Sequence, residues 1–198
     1  MISWLDRIDS AVFHFFNGTL SNPIFDYIMP IITNQDYWTI PILLLVLGLI
    51  FKGGKRGKIT AVLLIIAVGT SDAIAAQLIK PWVGRLRPSH ALIDSINLLV
   101  SKGGKYSFVS NHATNMFCAA TVLTYFYSKW KKVLYTLAVI VAFSRVYTGV
   151  HYPGDVIFGG LFGYGMAWLI LTLWVILKMR ELKRGQTWVW YEGDLQNK

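Results

Sequence analysis

Long apolar runs, separated by short polar segments, occupy most of this chain. A helix needs about 20 mostly apolar residues to cross the hydrocarbon core of a bilayer. Five runs approach that length once their aromatic flanks and polar ends are included: residues 37–51, 59–79, 112–128, 133–150 and 156–177. The pattern predicts an all-α, integral-membrane helical bundle with about five core transmembrane helices.

The first 34 residues follow a different pattern. Apolar side chains recur there at helical spacing on one face, namely Trp4, Leu5, Ile8, Ala11, Val12, Phe15 and Phe16. The other face carries Asp6, Arg7, Asp9 and Ser10. Because this segment is too short to span, it predicts an amphipathic helix in the membrane interface, followed by a second short element at 24–33. The chain therefore divides into N-terminal interfacial helices (1–34), a transmembrane domain (35–178) and a cytoplasmic C-terminal tail (179–198).

The positive charges predict the orientation of the bundle. A net charge of +9 could suggest a nucleic-acid partner, but the lysines and arginines do not form one basic face, so we expect none. They form clusters after the first, third and fifth runs: Lys52, Lys55, Arg56, Lys58, Lys129, Lys131, Lys132, Lys178, Arg180, Lys183 and Arg184. If the spans alternate, all three clusters lie on one side, which the positive-inside rule makes cytoplasmic. The loop 80–110 and the turn 150–155 then lie on the outer face.

Polar side chains gather at the outer ends of spans two to five. They are Lys80, Arg87, Ser110, Asn111, His112, Arg145, His151 and Asp155. Three fixed cations suit a multiply charged anion, and a guanidinium group suits phosphate best. One histidine can be a nucleophile whose tautomer a carboxylate fixes, and a second can protonate a leaving group. The set predicts phosphoryl transfer with neither a metal nor another cofactor, because the three cations would repel a divalent ion.

Taken singly, these residues also have structural explanations. Lys80 could snorkel at the end of its span, and Arg145 could form a structural ion pair with Asp155. The histidines could be interfacial polar residues, but the joint arrangement favours a phosphate site. Asp72 lies inside span two, about 12 Å of helical rise from Lys80, so we expect it in a structural polar network. His90 follows the cationic segment closely and could contact substrate.

Three short motifs resemble those of the type 2 phosphatidic acid phosphatase (PAP2) superfamily. "KPWVGRLRP" at 80–88 matches its Lys–six residues–Arg-Pro motif, and "SRVYTGVHYPGD" at 144–155 matches its Ser-Arg–five residues–His–three residues–Asp motif. The middle motif, usually Pro-Ser-Gly-His, is "VSNH" at 109–112. The motifs occur in the order typical of the family, and the resemblance covers roughly residues 35–178.

The resemblance implies a role for each matching residue. Lys80, Arg87 and Arg145 would bind phosphate, together with Ser110 and the backbone near Asn111. His112 would be the general acid, His151 the nucleophile that forms a phosphohistidine, and Asp155 the residue that orients His151. Two residues depart from the family pattern, Val109 for proline and Asn111 for glycine. A side chain at 111 changes how closely the backbone can approach phosphate, although its amide could itself donate to phosphate.

The resemblance further implies an integral-membrane lipid phosphatase of a bacterial envelope. Superfamily members act on phosphatidylglycerophosphate, undecaprenyl diphosphate, phosphatidic acid or lipid A phosphate, and the sequence does not rank these lipids. A site at headgroup level lets a lipid keep its tails in the bilayer. We therefore expect an inner-membrane protein whose active site faces the periplasm, with its oligomeric state open. Two alternatives are a lipid phosphotransferase and a non-catalytic lipid-binding or transport protein that retains the motifs.

Overall fold

The computed structural model describes residues 3–92 and 95–191, and helices dominate this part of the chain. The α-helices are α1 (Ser3–His14), α2 (Pro23–Thr33), α3 (Gln35–Lys52), α4 (Gly54–Ile74), α5 (Lys80–Val83), α6 (Pro88–Ala91), α7 (Asn111–Phe126), α8 (Lys131–Tyr147) and α9 (Pro153–Lys183). A π-helical segment, Phe15–Thr19, extends α1, and another, Ala75–Ile79, joins α4 to α5. The described residues contain no strand beyond one isolated bridge between Leu86 and Tyr106.

Each of the five predicted spans coincides with a helix. Three are long and apolar enough to cross a membrane, namely Gln35–Lys52, Gly54–Val83 (α4 through α5) and Pro153–Lys183. α7 and α8 have 16 and 17 residues, less than the roughly 20 that a span requires. The all-helical prediction is confirmed, whereas the number of five spans stays a prediction.

Helix α7 lies at the centre of the bundle, against α4, α8 and α9. Apolar side chains from these helices form the main core, including Leu64, Cys118, Val122 and Leu171. Glycine lets α9 approach α7 closely: a Cβ at Gly163 would overlap the backbone carbonyl of Thr114. The close packing fixes the start of α7, which carries part of the candidate site.

The N-terminal helices pack on the bundle rather than only resting on the membrane. Trp4 and Ile8 of α1 are exposed, as an interfacial helix requires. On the polar face of α1, Asp9 is only 15% exposed because it pairs with Arg85 in the loop after α5. In the same way, the end of α2 brings the buried Thr33 to Arg145.

The segment that follows α9 also returns to the bundle. α9 continues to Lys183, beyond the predicted boundary at 178. Val189 and Trp190 are then buried in the main core cluster, and the Arg56 guanidinium lies over the Trp190 ring, 4.8 Å from its centroid. A cytoplasmic tail was predicted from 179, and two residues of it, Val189 and Trp190, are part of the folded core.

Candidate active site

The predicted site residues come from five segments of the chain that meet at one end of the bundle. Lys80 follows the π-helical segment after α4, and Arg87 directly precedes α6. Ser110 is the N-cap of α7, Asn111 and His112 are in its first turn, and Arg145 is in the last turn of α8. His151 lies in the turn before α9, and Asp155 is the third residue of that helix. The Ser110 N–H donates to the Asp155 carbonyl at 3.0 Å, which joins the starts of α7 and α9.

His151 and Asp155 form a buried pair. His151 is 1% exposed, Asp155 is 0% exposed, and His151 Nδ1 lies 3.3 Å from Asp155 Oδ2. The Tyr152 N–H donates to the same carboxylate oxygen at 2.8 Å, so the carboxylate is fixed by the helix start. With Nδ1 carrying the hydrogen toward Asp155, the lone pair of Nε2 is free for nucleophilic attack.

The surroundings of His151 keep its imidazole neutral. Burial lowers the pKa of His151 well below 6.5, and the positive charges of Arg87, Arg145 and Lys80 lower it further. A neutral imidazole is the form that can attack phosphorus. The cations that keep His151 neutral are the groups predicted to bind phosphate.

Two buried polar groups that can donate a hydrogen bond toward the site have no protein partner in the described part of the chain. One is the Ser110 hydroxyl and the other is Nε of Arg145. Arg145 is held by its other end, since Nη1 donates to Thr33 Oγ1 at 2.5 Å. The first backbone N–H groups of any α-helix lack a partner within the helix, and together with the helix dipole they favour an anion at the start of α7. Unpartnered buried polar groups are costly, and a bound phosphate would satisfy them.

Lys80 and Arg87 are held by the loop that leads into α7. The Lys80 ammonium donates to the carbonyls of Val109 at 2.7 Å and Ser107 at 3.3 Å. Arg87 Nε donates to the Tyr106 carbonyl at 3.2 Å. The Lys80 ammonium therefore stabilises this loop through hydrogen bonds to its carbonyls. Contact between Lys80 and phosphate stays a prediction.

Asn111 contacts a carboxylate in the membrane-spanning segment. Its Nδ2 donates to Asp72 Oδ1 at 2.7 Å, and Asn115 Nδ2 donates to the same oxygen at 2.7 Å. The structural polar network predicted for Asp72 is confirmed. The Asn111 amide group is occupied by this contact, so only the backbone of Asn111 remains for phosphate binding. His90 Nε2 lies 3.2 Å from the Gly103 carbonyl, a contact within its own loop.

Arg85 is a site residue that the sequence analysis missed. Its Nη1 donates to Asp155 Oδ1 at 3.0 Å, and Ser107 Oγ donates to the same oxygen at 3.4 Å. The ion pair considered between Arg145 and Asp155 is therefore wrong: the arginine that binds Asp155 is Arg85. Arg85 stands within the first motif, but its spacing to Asp155 along the chain gives no signal of contact.

An apolar groove of about 590 Å³ opens beside the site. It runs between α8 and α9, and its walls include Phe117, Val139, Val146, Val156 and Leu161. Val146 follows Arg145 and Val156 follows Asp155 in the chain, so the groove reaches the same turns of α8 and α9 that carry these two site residues. Its lining suits a hydrocarbon chain.

Comparison with known proteins identifies the family. Residues 59–178 match the family model described as "PAP2 superfamily". The chain belongs to the PAP2 superfamily. It is 31% identical over 177 residues to the lipid A 4'-phosphatase of Bacteroides thetaiotaomicron, covering 85% of this chain and 78% of the relative. It is also 35% identical over 141 residues to an undecaprenyl-diphosphatase of Sulfolobus acidocaldarius, covering 70% of this chain and 65% of the relative.

A solved structure supports the same assignment. The transmembrane PAP2-type phosphatidylglycerolphosphate phosphatase of Bacillus subtilis matches with a TM-score of 0.68 and 27% identity, over 85% of each chain. This PAP2 protein is therefore an integral-membrane helical protein, and its family and relatives make it a phosphoric-ester or diphosphate hydrolase. The relatives act on different lipids, so they define the class of reaction and leave the individual substrate open.

Proposed function

We propose that this PAP2 protein removes phosphate from a membrane lipid through a phosphohistidine on His151. The observation that carries the proposal is the buried His151–Asp155 pair, whose neutral imidazole lies among cations and unpartnered donors. A nucleophile fixed by a carboxylate and facing an anion cradle is the arrangement that covalent phosphoryl transfer requires.

The reaction proceeds in two displacements. His151 Nε2 attacks phosphorus, the bond to the leaving oxygen breaks, and that oxygen takes a proton from His112. Asp155 accepts a hydrogen bond from Nδ1–H, and its negative charge stabilises the positive imidazole of the phosphohistidine. His112 then takes a proton from a water molecule, whose oxygen attacks phosphorus and releases inorganic phosphate from Nε2. Throughout, Lys80, Arg87, Ser110 and Arg145 and the first turn of α7 neutralise the phosphoryl oxygens.

The substrate is a lipid phosphate or diphosphate of the cell envelope. The apolar groove beside the charged cluster supports this class, because it can hold a lipid chain while the headgroup reaches His151. The names of the relatives suggest lipid A phosphate, undecaprenyl diphosphate and phosphatidylglycerophosphate as candidates. We further propose that residues 35–178 form the catalytic membrane domain and that it lies in the inner membrane with its site facing the periplasm.

Phosphate release from a panel of these pure lipids, each in mixed micelles, tests the proposal. The parent protein should release phosphate from at least one lipid, and His151→Ala should not, although it melts at the same temperature. Rapid quench with ³²P-labelled lipid should trap an acid-labile, base-stable adduct in the parent. Turnover of His151→Ala near the parent rate would exclude His151 as the nucleophile. Turnover that requires an added alcohol acceptor would instead identify a phosphotransferase, and lipid binding without turnover would identify a binding protein.

The cationic site also predicts a reaction without a metal ion. Activity should persist in excess chelator, and vanadate should inhibit because it can adopt the five-coordinate geometry of the transferring phosphoryl group. Activity that disappears in chelator and returns with Mg²⁺ would contradict the mechanism. Lipid hydrolysis measured after dialysis against chelator, with and without added Mg²⁺, decides between these outcomes.

A further inference from the structure

Arg85 connects the carboxylate behind His151 to the N-terminal helix α1. Its Nη1 pairs with Asp155 Oδ1 at 3.0 Å, and its Nη2 pairs with Asp9 Oδ2 at 2.7 Å. The Arg85 side chain is only 11% exposed. Burial opposes its charge, but Asp155 and Asp9 raise the pKa of Arg85, so the guanidinium group stays charged. One buried arginine therefore bridges Asp155 to Asp9, and the more exposed Asp6 lies 3.5 Å from the same Nη2.

Asp9 makes a second contact that fixes it against the start of α9. Its Oδ1 accepts from the Gly154 N–H at 2.7 Å, and a carboxylate at a helix N-terminus is favoured by the helix dipole. A Cβ at Gly154 would lie 2.9 Å from Asp9 Oδ2, so glycine permits this approach. Asp9 thus contacts both the residue that precedes Asp155 in the chain and the arginine that binds Asp155.

Packing holds α1 in this position. Phe13 of α1 is fully buried, and its ring packs edge-on against that of Tyr152, with centroids 5.4 Å apart. The Arg85 guanidinium lies 4.0 Å from the centroid of the Tyr152 ring. The apolar contact of Phe13 and the cation–π contact of Arg85 therefore converge on the residue between His151 and Pro153.

We propose that Arg85 and Asp9 are positioning residues for catalysis, and that α1 belongs to the catalytic apparatus rather than serving only as a membrane anchor. The inference rests on the proposed role of His151 as nucleophile and of Asp155 as its orienting carboxylate.

Two physical effects explain such a role. First, Arg85 holds Oδ1 of Asp155, so Oδ2 is the oxygen that faces His151, even though Lys80, Arg87 and Arg145 lie close by and would otherwise compete for the carboxylate. Second, Asp9 offsets the charge of Arg85. An arginine shared by two carboxylates leaves a net negative charge at Asp155 to stabilise the positive imidazole that forms during attack. An arginine paired with Asp155 alone would cancel that charge.

Asp9→Asn tests the charge directly, because asparagine keeps the size of the side chain and an oxygen that can accept from Gly154. We expect kcat to fall about 10-fold, which is typical for outer partners that orient a reactive group. KM should stay within about twofold, since Asp155 acts on the transition state and not on lipid binding. Asp6→Asn is the matched control on the same helix: Asp6 lies 3.5 Å from Arg85 and is 41% exposed, so its loss should change kcat by less than about twofold.

A double substitution separates positioning from a purely structural role. If Asp9 acts through Asp155, Asp9→Asn should lower kcat in the parent but not further in an Asp155→Asn background. Arg85→Lys is a second probe that keeps the positive charge: an ammonium cannot bridge two carboxylates in a fork, so its kcat should fall at least as far as that of Asp9→Asn. Thermal melts of each variant in detergent report on folding.

The outcomes distinguish failure of the proposed function from failure of the positioning role. Near-parent turnover in His151→Ala would overturn the proposed function itself, and near-parent turnover in Asp155→Asn would overturn the positioning role that acts through Asp155. If those two variants are impaired but Asp9→Asn matches Asp6→Asn, the positioning role alone is wrong. It is equally wrong if the Asp9→Asn loss is repeated in full on top of Asp155→Asn, or if it appears only as a lower melting temperature.

Discussion

At the scale of single residues, the Arg145 guanidinium group is bound to the protein through one nitrogen, and another nitrogen is left for the candidate phosphate site. Nη1 is bound to Thr33 Oγ1, whereas the buried Nε has no partner among the described residues. A planar fork can be anchored at one end and bind phosphate with the other, which an ammonium cannot do. The type of cation at this position should therefore matter as much as its charge.

Replacing Arg145 by lysine should leave the protein folded but lower kcat by about 10²–10³, the usual effect of removing a donor aimed at developing charge. Thr33→Val is the matched control, because it removes the anchor and keeps the guanidinium, and its loss should be smaller. Steady-state hydrolysis of the preferred lipid measures both variants. Equal kcat in the parent and Arg145→Lys would show that Arg145 contributes only charge.

Asp72 accepts two amide hydrogens on one oxygen, from residues one turn apart on α7. Asp72→Ala leaves both amide groups without that acceptor, which should cost about 1–3 kcal/mol of unfolding free energy per stranded group. Thermal melting in detergent should show the loss, while Asp36→Ala, at an exposed position that starts α3, should melt like the parent. An unchanged melting temperature in Asp72→Ala would mean that the network contributes nothing to stability.

The motif residues could be predicted from the sequence because short spacing fixes their relations: His151 and Asp155 are four positions apart, and the pair forms at the start of one helix. Arg85 and Asp9 could not be predicted as partners of Asp155, because long stretches of chain separate them and no local pattern sets their approach. Asn111 stood out as a departure from the family pattern, but its amide could only be assigned to Asp72 once α4 and α7 were seen side by side.

At the scale of elements, the apolar runs predicted the helices well and their ends poorly. The hydrophobic period sets the existence of a helix, whereas its ends depend on packing. α9 illustrates this: the apolar run ends near 177, but the helix continues to Lys183 before the chain turns back. Trp190 then stacks near Phe126, with centroids 5.7 Å apart. A tryptophan near basic residues is also typical of a segment at the membrane interface, so only the tertiary contact decides.

The C-terminal segment should stabilise the bundle without taking part in catalysis. Trp190 is 7% exposed, so Trp190→Ala should destabilise the protein by about 3 kcal/mol. Its partner Arg56 lies about 36 Å of helical rise from Lys80 along α4 and its continuation, so kcat at low temperature should not change. Tyr191→Ala, at a 41% exposed neighbour, is the control. A fall in kcat with normal melting would instead connect this end of the bundle to the site.

At the scale of the whole molecule, the basic clusters and the candidate active site lie at opposite ends of the bundle. The basic clusters follow α3, α7 and the apolar part of α9, whereas the site residues stand at the other ends of α4, α7, α8 and α9. This division follows from the sequence alone, because consecutive helices reverse direction and alternate loops share a side. What the sequence could not predict is that segments near both ends of the chain fold onto the bundle: α1 packs beside the site, and Val189 and Trp190 pack into the main core.

The division leads to a prediction about orientation. The positive-inside rule places the end with the basic clusters in the cytoplasm, so the active site should open on the outer face. Single cysteines replace Lys131 at the basic end and Lys102 in the loop beside Arg87, both at exposed positions, in a Cys118→Ser background, since Cys118 is buried. An impermeant thiol reagent should label position 102 in intact spheroplasts, whereas position 131 should react only after the membrane is permeabilised. Lys58→Cys, exposed at the start of α4, repeats the inner measurement with a second loop. Prompt labelling of positions 58 and 131 in intact spheroplasts, with protection of 102, would contradict the predicted orientation. It would place lipid dephosphorylation on the cytoplasmic leaflet.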